Sequence, residues 1–133
     1  MDFNIVFVRS RKKFEKFVKI NKIRNKSVID IKEMMHEENV DPTCKNNMQY
    51  FKIVVFKRIK LALSKKKDIY YIPDFDTPGF KVEKLLKIKQ LLEDQTHFNL
   101  LLFHNEFLEE DYHIEDAFSN IGEFDNSKIL KDY

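Results

Sequence analysis

Apolar and polar positions alternate along this chain in two distinct rhythms. Residues 4–8, Asn-Ile-Val-Phe-Val, form a short β-branched and aromatic run of the kind that makes a strand buried on both faces. Over residues 9–21 the rhythm changes: Phe14, Phe17 and Val18 recur at helical steps with lysines between them, which predicts an amphipathic helix. Residues 26–31 read as a second strand, although Asp30 equally suits the cap of a helix running to residue 38. Pro42 closes that segment, and Thr43 is a candidate cap for a long helix to residue 66. Its broad apolar face comprises Met48, Phe51, Val54, Val55, Ile59, Leu61, Ala62 and Leu63. A third strand follows at residues 68–72, a helix from Thr77-Pro78 to about residue 94, and a fourth strand at residues 98–103.

The expected order is β-α-β-α-α-β-α-β. Strands that read as continuous apolar runs and alternate with helices argue for a parallel sheet covered on both faces. The expectation is one α/β domain over residues 1–104, three layers deep, with about four mostly parallel strands and helices on both faces. Residues 105–133 form an acidic C-terminal arm with a short helix expected around residues 114–120.

Charge sharpens this division. The 133 residues carry a formal net charge of +2, yet residues 1–90 hold 22 basic against 11 acidic residues, and residues 91–133 hold 2 against 11. A basic half, net +11, is joined to an acidic half, net −9. The only glycines are Gly79 and Gly122, so no glycine-rich phosphate cradle can follow the first strand. Cys44 is the single cysteine, which rules out an intrachain disulfide and leaves no thiol-histidine signature. No run is long and apolar enough to span a bilayer, and residues 1–10 lack a basic leader and cleavage site, so a cytoplasmic protein is expected. Abundant Lys, Asn, Ile and Phe with scarce Gly, Ala, Pro and Trp fit an AT-rich coding sequence, such as that of a bacteriophage, another virus or an AT-rich cell; for a viral source the host cytoplasm is the compartment.

The layout resembles the P-loop kinase fold, in its polynucleotide-kinase-like branch. The resemblance implies a first strand at residues 4–8, a substrate-side acid at Asp30 and a Walker B-like acid at Asp74 in the run Ile-Tyr-Tyr-Ile-Pro-Asp-Phe-Asp. It departs where the family has its phosphate loop, because this chain has Val8-Arg9-Ser10-Arg11-Lys12-Lys13-Phe14 with no glycine. Glycines let successive backbone N–H groups converge on one anion, so a non-hydrolysing relative with no cofactor is expected.

The remaining candidates are surfaces and pairs. Asp74 and Asp76 have the D-x-D spacing that can hold a divalent cation, but Asp76 or Thr77 also suits a helix cap. His97, His104 and His113 match no zinc spacing. Arg9, Arg11, Lys12, Lys13 and Lys16 open a basic stretch to Lys26 that could meet nucleic-acid phosphates, with Phe14 and Phe17 either interleaved there or turned into the core. In the arm, Phe107, Tyr112, Ile114, Phe118 and Phe124 lie among acids with no basic residue between 105 and 125, a composition suited to docking in a basic-rimmed apolar groove of a host or viral protein, or on this domain's own basic half. A non-enzymatic protein-binding role leads, nucleic-acid binding follows, and a metal-dependent phosphotransferase using Asp30, Asp74 and Asp76 comes third.

Overall fold

The structure is a computed structural model. It describes residues 1–74, 96–103 and 124–130, together with residues 77, 80, 89, 90, 92 and 133. Its elements are β1 (Asp2–Phe7), α1 (Arg11–Ile20), β2 (Lys26–Asp30), α2 (Ile31–Glu37), α3 (Lys45–Ser64), β3 (Asp68–Ile72), β4 (His97–Phe103) and β5 (Asn126–Leu130). The strands form one sheet in the order β2-β3-β1-β4-β5, and every neighbouring pair is parallel.

The α/β expectation holds, and two details of it change. The sheet has five strands rather than about four, and the fifth comes from the stretch read as an acidic arm beyond residue 104. Asn99 to Phe103 of β4 pair in register with Asn126 to Leu130. Just before β5, Asp125 donates its backbone N–H to the Phe98 carbonyl at 2.7 Å and accepts the Phe98 N–H on Oδ2 at 2.8 Å. Those two bonds set the register where the strand begins. Periodicity missed β5 because its residues are largely exposed and carry little apolar signal. The helix expected over residues 77–94 and the short helix expected around 114–120 lie wholly or largely outside the described residues, although Phe80 and Leu92 are buried in the core.

Handedness explains the layers. The chain leaves β1 for β2 in one direction along the sheet, and every later connection runs in the other. Right-handed crossovers in opposite directions must pass over opposite faces. Hence α1 covers one face, where Phe14 and Phe17 meet Val6, Val8, Tyr70, Ile72, Leu101 and Phe103. The other face carries α2 and α3, whose Ile31, Met34, Phe51, Val55 and Ile59 pack on Phe3, Ile5, Phe7, Ile69, Tyr71, Phe98, Leu100 and Leu102. Phe80, Leu92 and Phe124 join this second core, as the handedness of their connections requires. Successive side chains of β1 and β4 alternate between two apolar cores, which is why these strands read as unbroken apolar runs. Full burial of each such side chain is worth about 1.5–3 kcal/mol.

A chain with two glycines ends its helices without them. Lys22, Asn39 and Lys66 follow the caps of α1, α2 and α3 with φ of 51°, 51° and 54°. In each case the next N–H reaches back to the helix: Ile23 to the Val18 carbonyl, Val40 to Met35 and Lys67 to Ala62, at 3.1, 3.0 and 3.0 Å. This is the Schellman closure, and left-handed backbone at a residue bearing a Cβ costs about 1 kcal/mol per site. In the first two closures the apolar pairs Ile23 with Val18 and Val40 with Met35 pack against the cores and offset that cost.

At α3 the expected Thr43 cap gives way to Cys44. Thr43 is held instead by Asp41, whose Oδ1 accepts both the Thr43 N–H and its hydroxyl, at 2.9 and 2.7 Å. Those bonds lower the Asp41 pKa from its ordinary value. The expected apolar face of α3 also divides. Phe51 and Ile59 are fully buried, whereas Leu61, expected on the same face, is 54 % exposed and lies with Tyr50 and Ile53 on the opposite side. Urea unfolding tests this rotation: Phe51→Ala is expected to lose about 3–5 kcal/mol, and Ile53→Ser to stay within about 0.5 kcal/mol of the parent. Equal losses would place α3 in a different rotation.

Candidate functional site

In an open parallel sheet, a crevice forms at the carboxyl ends of adjacent strands whose following connections leave for opposite faces. Here β1 leads to α1 on one face, and its neighbour β3 leads toward Phe80 and Leu92 in the core of the other. The switch point therefore lies between Val8-Arg9-Ser10 after β1 and Pro73-Asp74 after β3. Asp30, at the end of β2, stands on the far side of β3.

Arg11 opens α1, with Ser10 as its extended N-cap making no side-chain cap bond. Its guanidinium turns toward the start of α2. Nη1 donates to Asp30 Oδ2 at 2.8 Å and to Glu33 Oε2 at 3.2 Å, while Nε lies 3.6 Å from Glu15 Oε1. The guanidinium carbon also sits 5.6 Å from the centre of the Phe14 ring. Asp30 is committed on both oxygens, because Oδ1 accepts the Glu33 N–H at 3.2 Å as the N-cap of α2. Both readings of this segment thus meet in one residue: Asp30 ends a strand and caps a helix. Its side chain is mostly buried and Arg11's is one-third exposed, so the pair is screened less than an ordinary surface ion pair.

Asp74 is also engaged within the chain. Its Oδ2 accepts the Thr77 hydroxyl at 2.6 Å, and its carbonyl accepts the Thr77 N–H at 3.3 Å. Thr77 is buried, with its Oγ1 3.6 Å from Met35 Sδ. This arrangement closes a turn directly after β3. Asp76, the second half of the D-x-D, lies outside the described residues. Among the described residues no group of three or more His, Cys, Asp or Glu could hold a metal ion. His97 lies 3.9 Å from Asp125 on an exposed strand end, and His104 and His113 are not among the described residues.

The basic stretch is partly dismantled by the fold. Phe14 and Phe17 both point into the core, Phe14 at 5.6 Å from the Tyr70 ring and Phe17 edge-on to Phe103 and Tyr133 at 5.9 and 5.3 Å. Neither can stack on a base. Arg11 is drawn into the acid cluster described above and Lys13 is half-buried, whereas Arg9, Lys12, Lys16 and Lys19 are exposed. What survives of the nucleic-acid candidate is a charged helix face.

Of the arm candidates, Phe124 is 8 % exposed in the core beneath α3, so it is a packing residue and not a partner anchor. Phe107, Tyr112, Ile114 and Phe118 lie outside the described residues. Tyr133, unsuspected from sequence, packs on Phe17 and Phe103, and its hydroxyl accepts from Asn21 Nδ2 at 3.1 Å.

A second concavity was not legible in the sequence. A five-stranded sheet is about 20 Å wide and a helix about 10 Å, so among the described residues α1 leaves part of its face uncovered. There the register aligns Tyr70, Asn4, Asn99 and Asn126 across four strands. Asn99 Nδ2 donates to Asn4 Oδ1 at 3.1 Å, and buried Asn4 donates to the Ile69 carbonyl at 3.2 Å. They line an open groove of about 430 Å³, rimmed by Asp2, His97, Asp125 and Lys128. Burial, with Asp68 and Asp2 nearby, raises the Tyr70 pKa above its ordinary value. The only trace of this row in the sequence is an Asn inside each of two apolar strand runs.

Comparison with models of protein families, with curated proteins and with solved structures finds no match for this chain. The Arg11–Asp30 pair can be weighed directly by equilibrium unfolding. Arg11→Ala should lose no more than about 1 kcal/mol, as a partly exposed ion pair does. Asp30→Ala should lose about 1–2 kcal/mol, since it also removes the α2 cap. Asp30→Asn, which keeps an acceptor at the cap, should fall with Arg11→Ala; a loss as large as that of Asp30→Ala would mean charge, and not the cap, dominates at this position.

Proposed function

We propose that this chain is a non-enzymatic binding or regulatory protein, built on a P-loop-kinase-like α/β fold without the phosphate loop, that works by engaging another protein. The observation that carries the reading is the state of the switch point. The first turn of α1 is where a phosphate loop would deliver an anion to convergent N–H groups, and Ser10 to Lys13 offer no glycine to shape one. Of the cations there, Arg11 is spent on Asp30 at 2.8 Å, the residue that the resemblance makes the substrate-side acid, while Lys12 and Lys13 have no loop to orient them on an anion. Asp74, the counterpart of the Walker B acid, is spent on Thr77 at 2.6 Å. The groups that would bind substrate and metal neutralise or cap one another.

The element order supports the same reading. A strand leads to a helix, a second strand ends in Asp30, the 20-residue α3 follows, and β3 runs into Asp74. No described helix is long and apolar enough to cross a membrane. An amino-acid composition of the kind AT-rich codons give is compatible with a bacteriophage source and action in the host cytoplasm, which this reading adopts. Residues 105–123, acidic and rich in large apolar side chains, are the segment assigned to partner binding, with Phe107, Tyr112, Ile114 and Phe118 as anchors.

Thermal melting tests the claim. ATP or GTP with Mg²⁺ should leave the melting temperature unchanged, because a ligand that binds only the native state must raise it, by several degrees at ~100 times its Kd. A saturable rise abolished by Asp74→Ala would show nucleotide binding at the switch point and overturn this reading.

One observation favours a second reading. Lys12, Lys16 and Lys19 are exposed together on the outer side of α1. Phosphate contacts through them would be salt-dependent and independent of sequence. If this reading holds, Lys12→Glu with Lys16→Glu weakens binding to DNA or RNA at low salt; unchanged or absent binding in a mobility-shift titration removes it.

A further inference from the structure

Helix α3 is apolar on two opposite sides. Phe51, Val55, Ile59 and Ala62 fill the core, yet Tyr50, Ile53 and Leu61 are 62, 55 and 54 % exposed. Positions 50, 53, 57 and 61 fall on one stripe of a helix, about 16 Å long at 1.5 Å per residue. Lys57 occupies the stripe's third position, and half-buried Phe56 flanks it with the Lys60 ammonium 4.7 Å from its ring centre. The charge is one-sided. The helix carries Lys45, Lys52, Lys57, Arg58 and Lys60 with no acid, and Lys65, Lys66 and Lys67 extend the run.

Three large exposed apolar side chains on one helix need a covering surface, and five cations specify its charge. A polar helix face would place lysine or glutamate where Tyr50, Ile53 and Leu61 stand. The complement is present in the same chain. Residues 105–123 carry Glu106, Glu109, Glu110, Asp111, Glu115, Asp116 and Glu123 with no lysine or arginine, interspersed with Phe107, Leu108, Tyr112, Ile114, Phe118 and Ile121. We propose that the outer face of α3 is a docking surface for the acidic, aromatic segment 105–123 of a second copy of this chain. The anchors are aliphatic and aromatic side chains laid along Tyr50, Ile53 and Leu61, while the flanking carboxylates face Lys57, Lys60 and the lysines after the helix. The same charge asymmetry that leaves the chain nearly neutral then drives one copy's acidic half onto the other's basic half. This names the partner of the segment 105–123 and so rests on the protein-binding part of the proposed function, but not on its non-enzymatic part, since nucleotide binding would leave the α3 stripe as exposed as before.

Sedimentation velocity of the full chain over a concentration series at low and high salt is the test. The expected result is reversible association at low salt that dissolves at high salt, as charges brought within a Debye length demand. Ile53→Ser with Leu61→Ser, and separately Lys57→Glu with Lys60→Glu, are each expected to weaken association at least about tenfold. Unchanged melting temperatures, natural for exposed positions, show that these variants still fold. A synthetic peptide of residues 105–123 should bind the full chain and return it to monomer. A chain monomeric throughout overturns the proposal, as does association unaffected by the α3 variants. Association that needs Ile53 and Leu61 but ignores the peptide would assign the stripe to α3 pairing with itself and also overturns it. So does binding to phosphatidylserine vesicles that requires Ile53 and Leu61 while the peptide is not bound, which would make the face a membrane contact.

Discussion

The architecture depends on one constraint: a parallel sheet must be covered on both faces, and the crossovers that do so are right-handed. In this chain a single connection runs from β1 toward β2 and all others run back. Among the described elements, α1 therefore lies on one face, and α2 and α3 pack on the other with Phe80, Leu92 and Phe124. Everything of functional interest follows from that imbalance. The switch point opens where β1 and β3 part company, and among the described residues the Asn4–Asn99 row lies open because the ten-residue α1 does not span five strands. On the crowded side, α3 has one flank buried in a dense aromatic core and the other facing outward.

At the switch point, electrostatics resolves what the backbone leaves open. A helix start without a glycine loop cannot gather its N–H groups around an anion, and the positive charge delivered there needs a partner. Arg11 finds two acids at the beginning of α2, one of them already ordered as its N-cap. Only Asp30 is mostly buried, so its contact with Arg11 is screened least, while Glu33 and Glu15 reach the same guanidinium from exposed positions. Asp74 and Thr77 make a parallel arrangement at the end of β3, a neutral donor on a carboxylate inside a turn. Asp30 thus joins a strand to a helix, and Asp74 is engaged inside the turn that follows β3.

The strands buried on both faces were plain in the sequence because burial leaves a mark. Ile5, Val6 and Phe7, or Leu100, Leu101 and Leu102, leave no polar residue where water would be. Phe14 and Phe17 were legible in part: their helical spacing places both on the same side of α1, but not whether that side meets the core or a ligand. β5 left no such mark, since Asn126, Ser127 and Lys128 are exposed and the strand belongs to the sheet through its backbone bonds to β4. Leu61 misled for the opposite reason. On a helix that is apolar nearly all round, spacing cannot tell the inner flank from the outer, and the rotation of α3 is chosen by Phe51 and Ile59 against the sheet.

By itself, then, the amino-acid sequence determined the α/β class, the alternation of strands and helices up to β3, the absence of a phosphate loop and the separation of basic and acidic halves. Each is a property of neighbouring residues or of composition. Tertiary structure alone decided that Arg11 would meet Asp30 and Glu33, that Asn4 would align with Asn99 and Asn126, that Phe124 and Tyr133 would enter the two cores, and that Tyr50, Ile53 and Leu61 would remain outside. Those relations join positions up to more than a hundred residues apart. They arise from strand register and crossover handedness, which no local pattern encodes.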